Sequence, residues 1–224
     1  MQLFGEPGFV DTSNSHHNHP MNNQTIKHIV FDIGQVLLHW DPEAPYKTLI
    51  PDEVQRKWFM AEVCNTAWNR EQDRGREWSD AEDLLIVQYP EQAELIRAYR
   101  QHWIQMITHP IAGSVTLFKA IIDAGWDVTM LTNFHQDTYI EAGKNYNFLE
   151  LPRGVTVSGE VRLIKPDPAI YQLHAKTFDL EPGGILFFDD SPENVQAALD
   201  QGWNARLFLS PELMEKDLVK FGVL

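Results

Sequence analysis

The feature that most constrains this chain is a repeated alternation in which short apolar, β-branched runs are separated by longer stretches of helical periodicity. The first run, Ile26-Lys27-His28-Ile29-Val30-Phe31, ends on Asp32 and is followed by Gly34 as a turn residue. Similar runs recur at Val128–Leu131, Val155–Val157, Ile185–Phe188 and Arg206–Leu209. Helical patterns lie between them at Ser114–Ala124, His135–Asn145, Ala169–Phe178 and Pro192–Gln201. Strands alternating with helices of this length predict βαβ units, and hence an α/β fold with a mostly parallel sheet and right-handed crossovers.

One stretch breaks the alternation. From about Pro42 to Pro110 no run reads as a strand, and the sequence is rich in Glu, Gln, Arg, Ala and Leu. A helical insertion over 42–110 follows the first strand directly. It therefore emerges from the carboxyl edge of the sheet, where open α/β folds bind ligands, and is placed to cover a site there. Trp58, Trp68, Trp78 and Trp103 fall within it. They are expected to form its core, with at most one or two lining a pocket, because amphipathic helices need large apolar faces to dock. Residues 1–25 lack periodicity and are expected to be a flexible extension, in which His16, His17 and His19 have no fixed geometry for a metal. The remainder, 26–41 and 111–224, is expected to be the core domain.

The chain has 224 residues, 43% of them apolar, which is ample for a core, and a net charge of −14. That charge repels nucleic-acid backbones and acidic membranes and excludes both as partners. It also repels an anionic small molecule, so a site for one needs local positive charge and a metal ion. Cys64 is the single cysteine, which excludes an intrachain disulfide and reads as a core residue. No apolar run has the length of a membrane span and the first twenty residues lack a signal-peptide pattern, so the expected location is cytoplasmic.

Four strand ends carry polar groups: Asp32, Thr132 with Asn133, Lys165 on the loop before Pro166, and Asp189 with Asp190. In a parallel sheet these ends share one edge and can converge. Each alone is as readily a cap, a turn or a surface residue. Four complementary groups on one edge point instead to a site.

These stretches, Phe31-Asp32-Ile33-Gly34, Leu131-Thr132-Asn133, Lys165-Pro166-Asp167-Pro168 and Phe188-Asp189-Asp190-Ser191-Pro192-Glu193-Asn194, resemble in order the four motifs of the haloacid dehalogenase superfamily. The insertion lies where that superfamily carries its α-helical cap. Within it the chain looks most like bacterial sugar-phosphate phosphatases of the α-D-glucose-1-phosphate type, a likeness that extends to Asn69-Arg70-Glu71-Gln72-Asp73-Arg74-Gly75. The resemblance implies a Rossmann-like three-layer α/β/α core and a small phosphorylated metabolite as substrate. It implies Asp32 as a nucleophile forming an aspartyl-phosphate, and Mg²⁺ held by Asp32, Asp190 and the Gly34 carbonyl, with Asp189 in support. Thr132 and Asn133 then donate to phosphoryl oxygens, Lys165 supplies positive charge, and Glu71 and Arg74 meet the substrate from the cap. Asn194 braces the loop and Asp167 caps a helix.

Position 34 departs from the pattern, because most phosphatases of this superfamily carry a second Asp there as general acid and base. Such help is worth about 10² to 10⁴ in rate. Glu71, Asp73, His39 and Asp41 are candidates to supply it, with a cap carboxylate preferred because cap closure brings it to a bound substrate. Two other readings follow from Gly34: a 2-haloacid dehalogenase, whose leaving halide needs no acid, and a ligand-binding protein without turnover. Two carboxylates beside the nucleophile disfavour the first, since they repel unless a cation separates them.

Overall fold

The computed structural model describes residues 25–224, and what was expected of the segment before Thr25, including His16, His17 and His19, lies outside them. The strands are β1 (His28–Phe31), β2 (Leu38–Trp40), β3 (Ile107–Pro110), β4 (Asp127–Thr132), β5 (Gly154–Val157), β6 (Ile185–Asp189) and β7 (Asn204–Leu207). The helices are α1 (Tyr46–Leu49), α2 (Glu53–Trp58), α3 (Thr66–Asp73), α4 (Trp78–Gln88), α5 (Ala93–Gln101), α6 (Ala112–Asp123), α7 (Gln136–Asn145), α8 (Ser158–Val161), α9 (Pro168–Thr177), α10 (Pro192–Asp200) and α11 (Pro211–Lys220).

Five strands form one parallel sheet in the order β5-β4-β1-β6-β7. Alternate residues of a strand face opposite ways, so an apolar run fills two cores at once. On one face Ile29, Phe31, Val128, Met130, Leu186 and Phe188 pack with residues of α6 and α11. On the other, Val30, Leu131, Ile185 and Phe187 pack with Ile170 and Tyr171 of α9 and Ala198 of α10. The result is the three-layer α/β/α arrangement expected. Helices α9, α10 and α11 each begin with a capping side chain, Asp167, Ser191 or Ser210, followed by Pro at the first helical position. The cap satisfies an orphan N–H, and Pro lacks the N–H that would otherwise need a partner.

The structure departs from the sequence reading at three places. Strand β3 lies in the stretch that was to hold no strand, and it pairs antiparallel with β2 through His39 and His109, whose rings stack at 4.7 Å. This short ladder closes the stem where the chain leaves the core and returns. The last core strand begins at Asn204, ahead of the predicted Arg206, because the Asn204 amide donates to the carbonyls of Gly183 and Ile185 and so enters the sheet as a polar residue. The expectation for the tryptophans is met unevenly: Trp78 and Trp103 are buried and Trp68 packs against the core, whereas Trp58 is 46% exposed. Cys64 is buried as expected. Among the described residues no helix is long and apolar enough to cross a membrane.

Candidate active site

Register places the site. Phe31 of the central strand is level with Phe188 on one side and Met130 on the other. The next residues, Asp32, Asp189 and Leu131, therefore lie side by side at this edge, with Thr132, the last residue of β4, one step further. The Asp32 N–H donates to the Phe188 carbonyl at 2.9 Å, which extends the ladder up to the carboxylate. Here the strand order changes direction: β4 and β5 build out on one side of β1 and β6 and β7 on the other, the situation that opens a crevice at a sheet edge.

Lys165, fully buried, points into this edge. Its ammonium donates to Asp32 Oδ2 at 2.9 Å, to Asp189 Oδ2 at 2.6 Å and to the Leu131 carbonyl at 3.0 Å. Burial alone would strip its charge, but Asp189 and Asp32 outweigh that and hold its pKa above the usual lysine value. Burial raises the pKa of Asp32, opposed by Lys165 and reinforced by repulsion from Asp189 and Asp190. Asp190, at the rim, is raised as well, by desolvation and then by Asp189. One carboxylate oxygen from each of Asp32, Asp189 and Asp190 lies within 4.8 Å of the other two.

The residues around this group divide by what they hold. Asp189 is saturated by protein: besides Lys165 it accepts from the Ser191 N–H at 2.9 Å and the Asn194 amide at 3.0 Å. Asn133 clamps the Lys165 main chain, accepting from its N–H at 2.9 Å and donating to its carbonyl at 3.1 Å. An amide nitrogen carries two hydrogens, so one remains for a ligand. Thr132 Oγ1 is buried without a hydrogen-bond partner among the described residues, as is Asn69 Oδ1.

A cavity of about 220 Å³ opens over the edge. Asp32, Gly34, Thr132, Asn133, Asp190 and Asn194 form its core side, and Asn69 and Asp73 of α3 face it from the insertion. Leu38, Trp40, Trp103, Ile107 and Phe134 supply an apolar wall. Lys165 and Asp189 stand behind the surface residues. Glu71 and Arg74 are not brought into the cavity: both are exposed and pair with each other at 3.7 Å. His39 and Asp41 are also elsewhere, bonded to Thr108 and Lys47 respectively.

The sequence reading missed Asn69, Trp40 and the anchors of the insertion. Arg70 donates to the Lys165 carbonyl at 3.2 Å and Ser158 Oγ to the Asp73 carbonyl at 2.5 Å, so α3 is tied to the core beside the site. The spacing of Asn69 and Asp73, four residues apart on one helical face, was the available signal. Trp40 and Ser158 gave none, because their places depend on the β2–β3 stem and on packing between α3 and α8.

A fungal relative, a sesquiterpene phosphatase of Aspergillus oryzae, is 26% identical over 175 residues, which cover 78% of this chain and 85% of that protein. Among solved structures, a HAD family enzyme from Bacteroides thetaiotaomicron superposes with a TM-score of 0.67 at 18% identity over 84% of this chain and 95% of its own. The same enzyme in complex with magnesium and inorganic phosphate gives 0.64 at 19% identity, over 83% and 95%. The L-2-haloacid dehalogenase of Xanthobacter autotrophicus with covalently bound chloropropionic acid gives 0.63 at 19%, over 89% and 85%. At these identities the structural likeness speaks for the fold. The model of the haloacid dehalogenase-like hydrolases matches residues 26–202, most of the chain, and to that family of hydrolases this chain belongs.

Proposed function

We propose that the chain is a Mg²⁺-dependent phosphatase of small phosphomonoesters in which Asp32 attacks phosphorus. The observation that carries this reading is the buried Asp32 carboxylate at the cavity floor, held by one ammonium that it shares with Asp189, with Asp190 alongside. Three carboxylates against one lysine leave negative charge in surplus, which favours a bound cation. A hard ion with a preference for oxygen fits, and Asp32, Asp190 and the Gly34 carbonyl would hold it with Asp189 behind. Bound there, Mg²⁺ would neutralise the phosphoryl oxygens and admit an anion to an acidic protein.

Lys165 and the Ile33 N–H, the latter at 2.7 Å from Asp32 Oδ1, fix the orientation of the nucleophile. The Thr132 hydroxyl and the remaining Asn133 N–H are donors for phosphoryl oxygens, and Lys165 supplies positive charge as phosphorus transfers. Attack forms an aspartyl-phosphate that water then hydrolyses.

The sugar-phosphate reading draws on the polar side of the cavity, Gln35, Asn69 and Asn133. The opposite wall of Leu38, Trp40, Trp103, Ile107 and Phe134 favours an apolar leaving group, in accord with the sesquiterpene phosphatase relative. Phosphate release from hexose, prenyl and aryl phosphates, with Mg²⁺ and with EDTA, tests both. Release should require Mg²⁺ and fall at least about 10³-fold in Asp32→Asn. Chloride release from 2-chloropropionate in EDTA, without phosphate release, would replace this reading by the dehalogenase one.

A further inference from the structure

In-line displacement at phosphorus puts the leaving oxygen opposite the nucleophile. With Asp32 on the floor, that oxygen faces the insertion. An alkoxide is a poor leaving group and needs a proton as the ester bond breaks. Among the described residues, the titratable side chains lining the cavity are Asp32, Asp73 and Asp190. Asp32 and Asp190 are occupied as nucleophile and ion ligand, and Lys165 is held between two carboxylates behind the surface. Asp73 is the remaining one.

We propose that Asp73, carried on the last turn of α3, is the proton donor to the leaving oxygen and then the base that takes a proton from the attacking water. This rests on the phosphatase reading and adds a catalytic residue to it. In the first step the Asp32 oxygen bonds to phosphorus, the bond from phosphorus to the ester oxygen breaks, and that oxygen takes the Asp73 carboxyl proton and departs as an alcohol. In the second, water attacks phosphorus and gives its proton to the Asp73 carboxylate. The bond to Asp32 then breaks, leaving phosphate and both carboxyl groups as they began.

The geometry is built for this. Asn69 Nδ2 donates to Asp73 Oδ2 at 3.0 Å, which fixes the carboxyl. The Asp73 carbonyl is tied to Ser158 of the core, and Gly75, at φ +98°, approaches Gly159 so closely that a Cβ there would lie 2.5 Å from the Gly159 carbonyl oxygen. The end of α3 is thereby held at a set height above the sheet edge. Burial, opposed by the His135 main chain and by Arg70 and reinforced by Asp32, raises the Asp73 pKa to about 8, so the group carries a proton at neutral pH. Tyr99 of α5, whose own pKa is raised by burial and then by Asp73, also faces it. The three remaining candidates, Glu71, His39 and Asp41, all lie outside the cavity.

Single-turnover formation of phosphoenzyme from hexyl phosphate and from p-nitrophenyl phosphate, with Mg²⁺, tests the assignment in Asp73→Asn. Nitrophenolate leaves without a proton, so its release should stay within about threefold of wild type, while the hexyl ester slows by about 10² to 10⁴. The nitrophenyl arm also reports that the variant is folded. Equal slowing of both esters, or no slowing of the hexyl ester, would overturn the proposal. If wild-type protein released phosphate from neither ester, the phosphatase reading itself would fall and this one with it.

Discussion

Two buried polar clusters lie two residues apart along β4, and they are built on opposite principles. Around Thr129, hydrogen bonds of 2.8 Å run from His28 Nε2 to Thr129 and from Thr129 to His174 Nε2, then from His174 Nδ1 to Thr156; His28 Nδ1 lies 2.8 Å from Asp127. One proton assignment satisfies the three hydrogen bonds: Thr129 donates to His28 Nε2, His174 Nε2 donates to Thr129 and Thr156 donates to His174 Nδ1, with the Nδ1–H of His28 left beside the Asp127 carboxylate. Both rings are then neutral. Around Leu131, whose carbonyl accepts from Lys165, no comparable closure exists, because Asp32, Asp189 and Asp190 outnumber their one cation. A buried network whose hydrogen bonds close on neutral groups specifies the fold, whereas one with surplus charge specifies a ligand.

Removing the hub of each cluster should separate them. Lys165→Met leaves Asp32 and Asp189 buried without a counter-charge, a loss of about 3 to 5 kcal/mol. Added Mg²⁺ should recover part of it by restoring a cation among the carboxylates. Thr129→Val keeps the shape and strands one nitrogen on each ring, a loss of about 1 to 3 kcal/mol that Mg²⁺ should not change. Melting temperatures with Mg²⁺ and with EDTA decide this. A Thr129→Val variant rescued by Mg²⁺, or a Lys165→Met variant that is indifferent to it, would break the comparison.

The clusters should also respond to pH with opposite sign. Burial, and after it the proximity of His28, Arg153 and Lys165, lowers the His174 pKa from 6.5 to about 3, and burial lowers that of His28 against the pull of Asp127. Below pH 6.5 the unfolded chain takes up protons that the folded rings refuse. Stability is therefore lost as pH falls from 6.5 towards 3, by up to about 1.4 kcal/mol per unit for His174, with a loss of the same sign for His28. Asp32 runs the other way: burial raises its pKa despite Lys165, so from its ordinary 3.8 upward the folded state holds a proton that the unfolded chain has released, and stability is lost as pH rises. Urea melts in EDTA between pH 4 and 8 should show His174→Gln flattening the acid side and Asp32→Asn flattening the neutral side. A single variant that flattened both would mean one coupled network.

The two clusters also differ in how far they were legible. Asp32, Thr132, Asp189 and Asp190 sit at strand ends, where a regular βαβ pattern fixes position from sequence alone, and the structure gathers them; Lys165, expected at a strand end as well, joins them from the loop between α8 and α9. His28, Thr129 and His174 lie within elements, where which residues meet depends on register and on the seating of α9, neither of which periodicity reports. The insertion was legible as helical, but its facing was not. Glu71 and Asp73 are two residues apart on a helix, roughly 200° around its axis. Only the anchors at Arg70, Ser158 and Gly75 decide which of them meets the cavity.

That last contrast yields the smallest expected effect. The Glu71–Arg74 pair carries the same charges as the Asp32–Lys165 pair, but at 3.7 Å on an exposed face rather than at 2.9 Å in the interior. Solvent screens the first, and holding two long side chains together offsets much of what the contact gains. Glu71→Ala should therefore change stability by less than about 0.5 kcal/mol and leave the KM for a phosphomonoester unchanged, read from a urea melt and a phosphate-release assay. A rise in KM of tenfold would mean that α3 turns when substrate binds and presents Glu71 to the cavity. In that event Asp73 would turn away with it, and the two variants should exchange their effects.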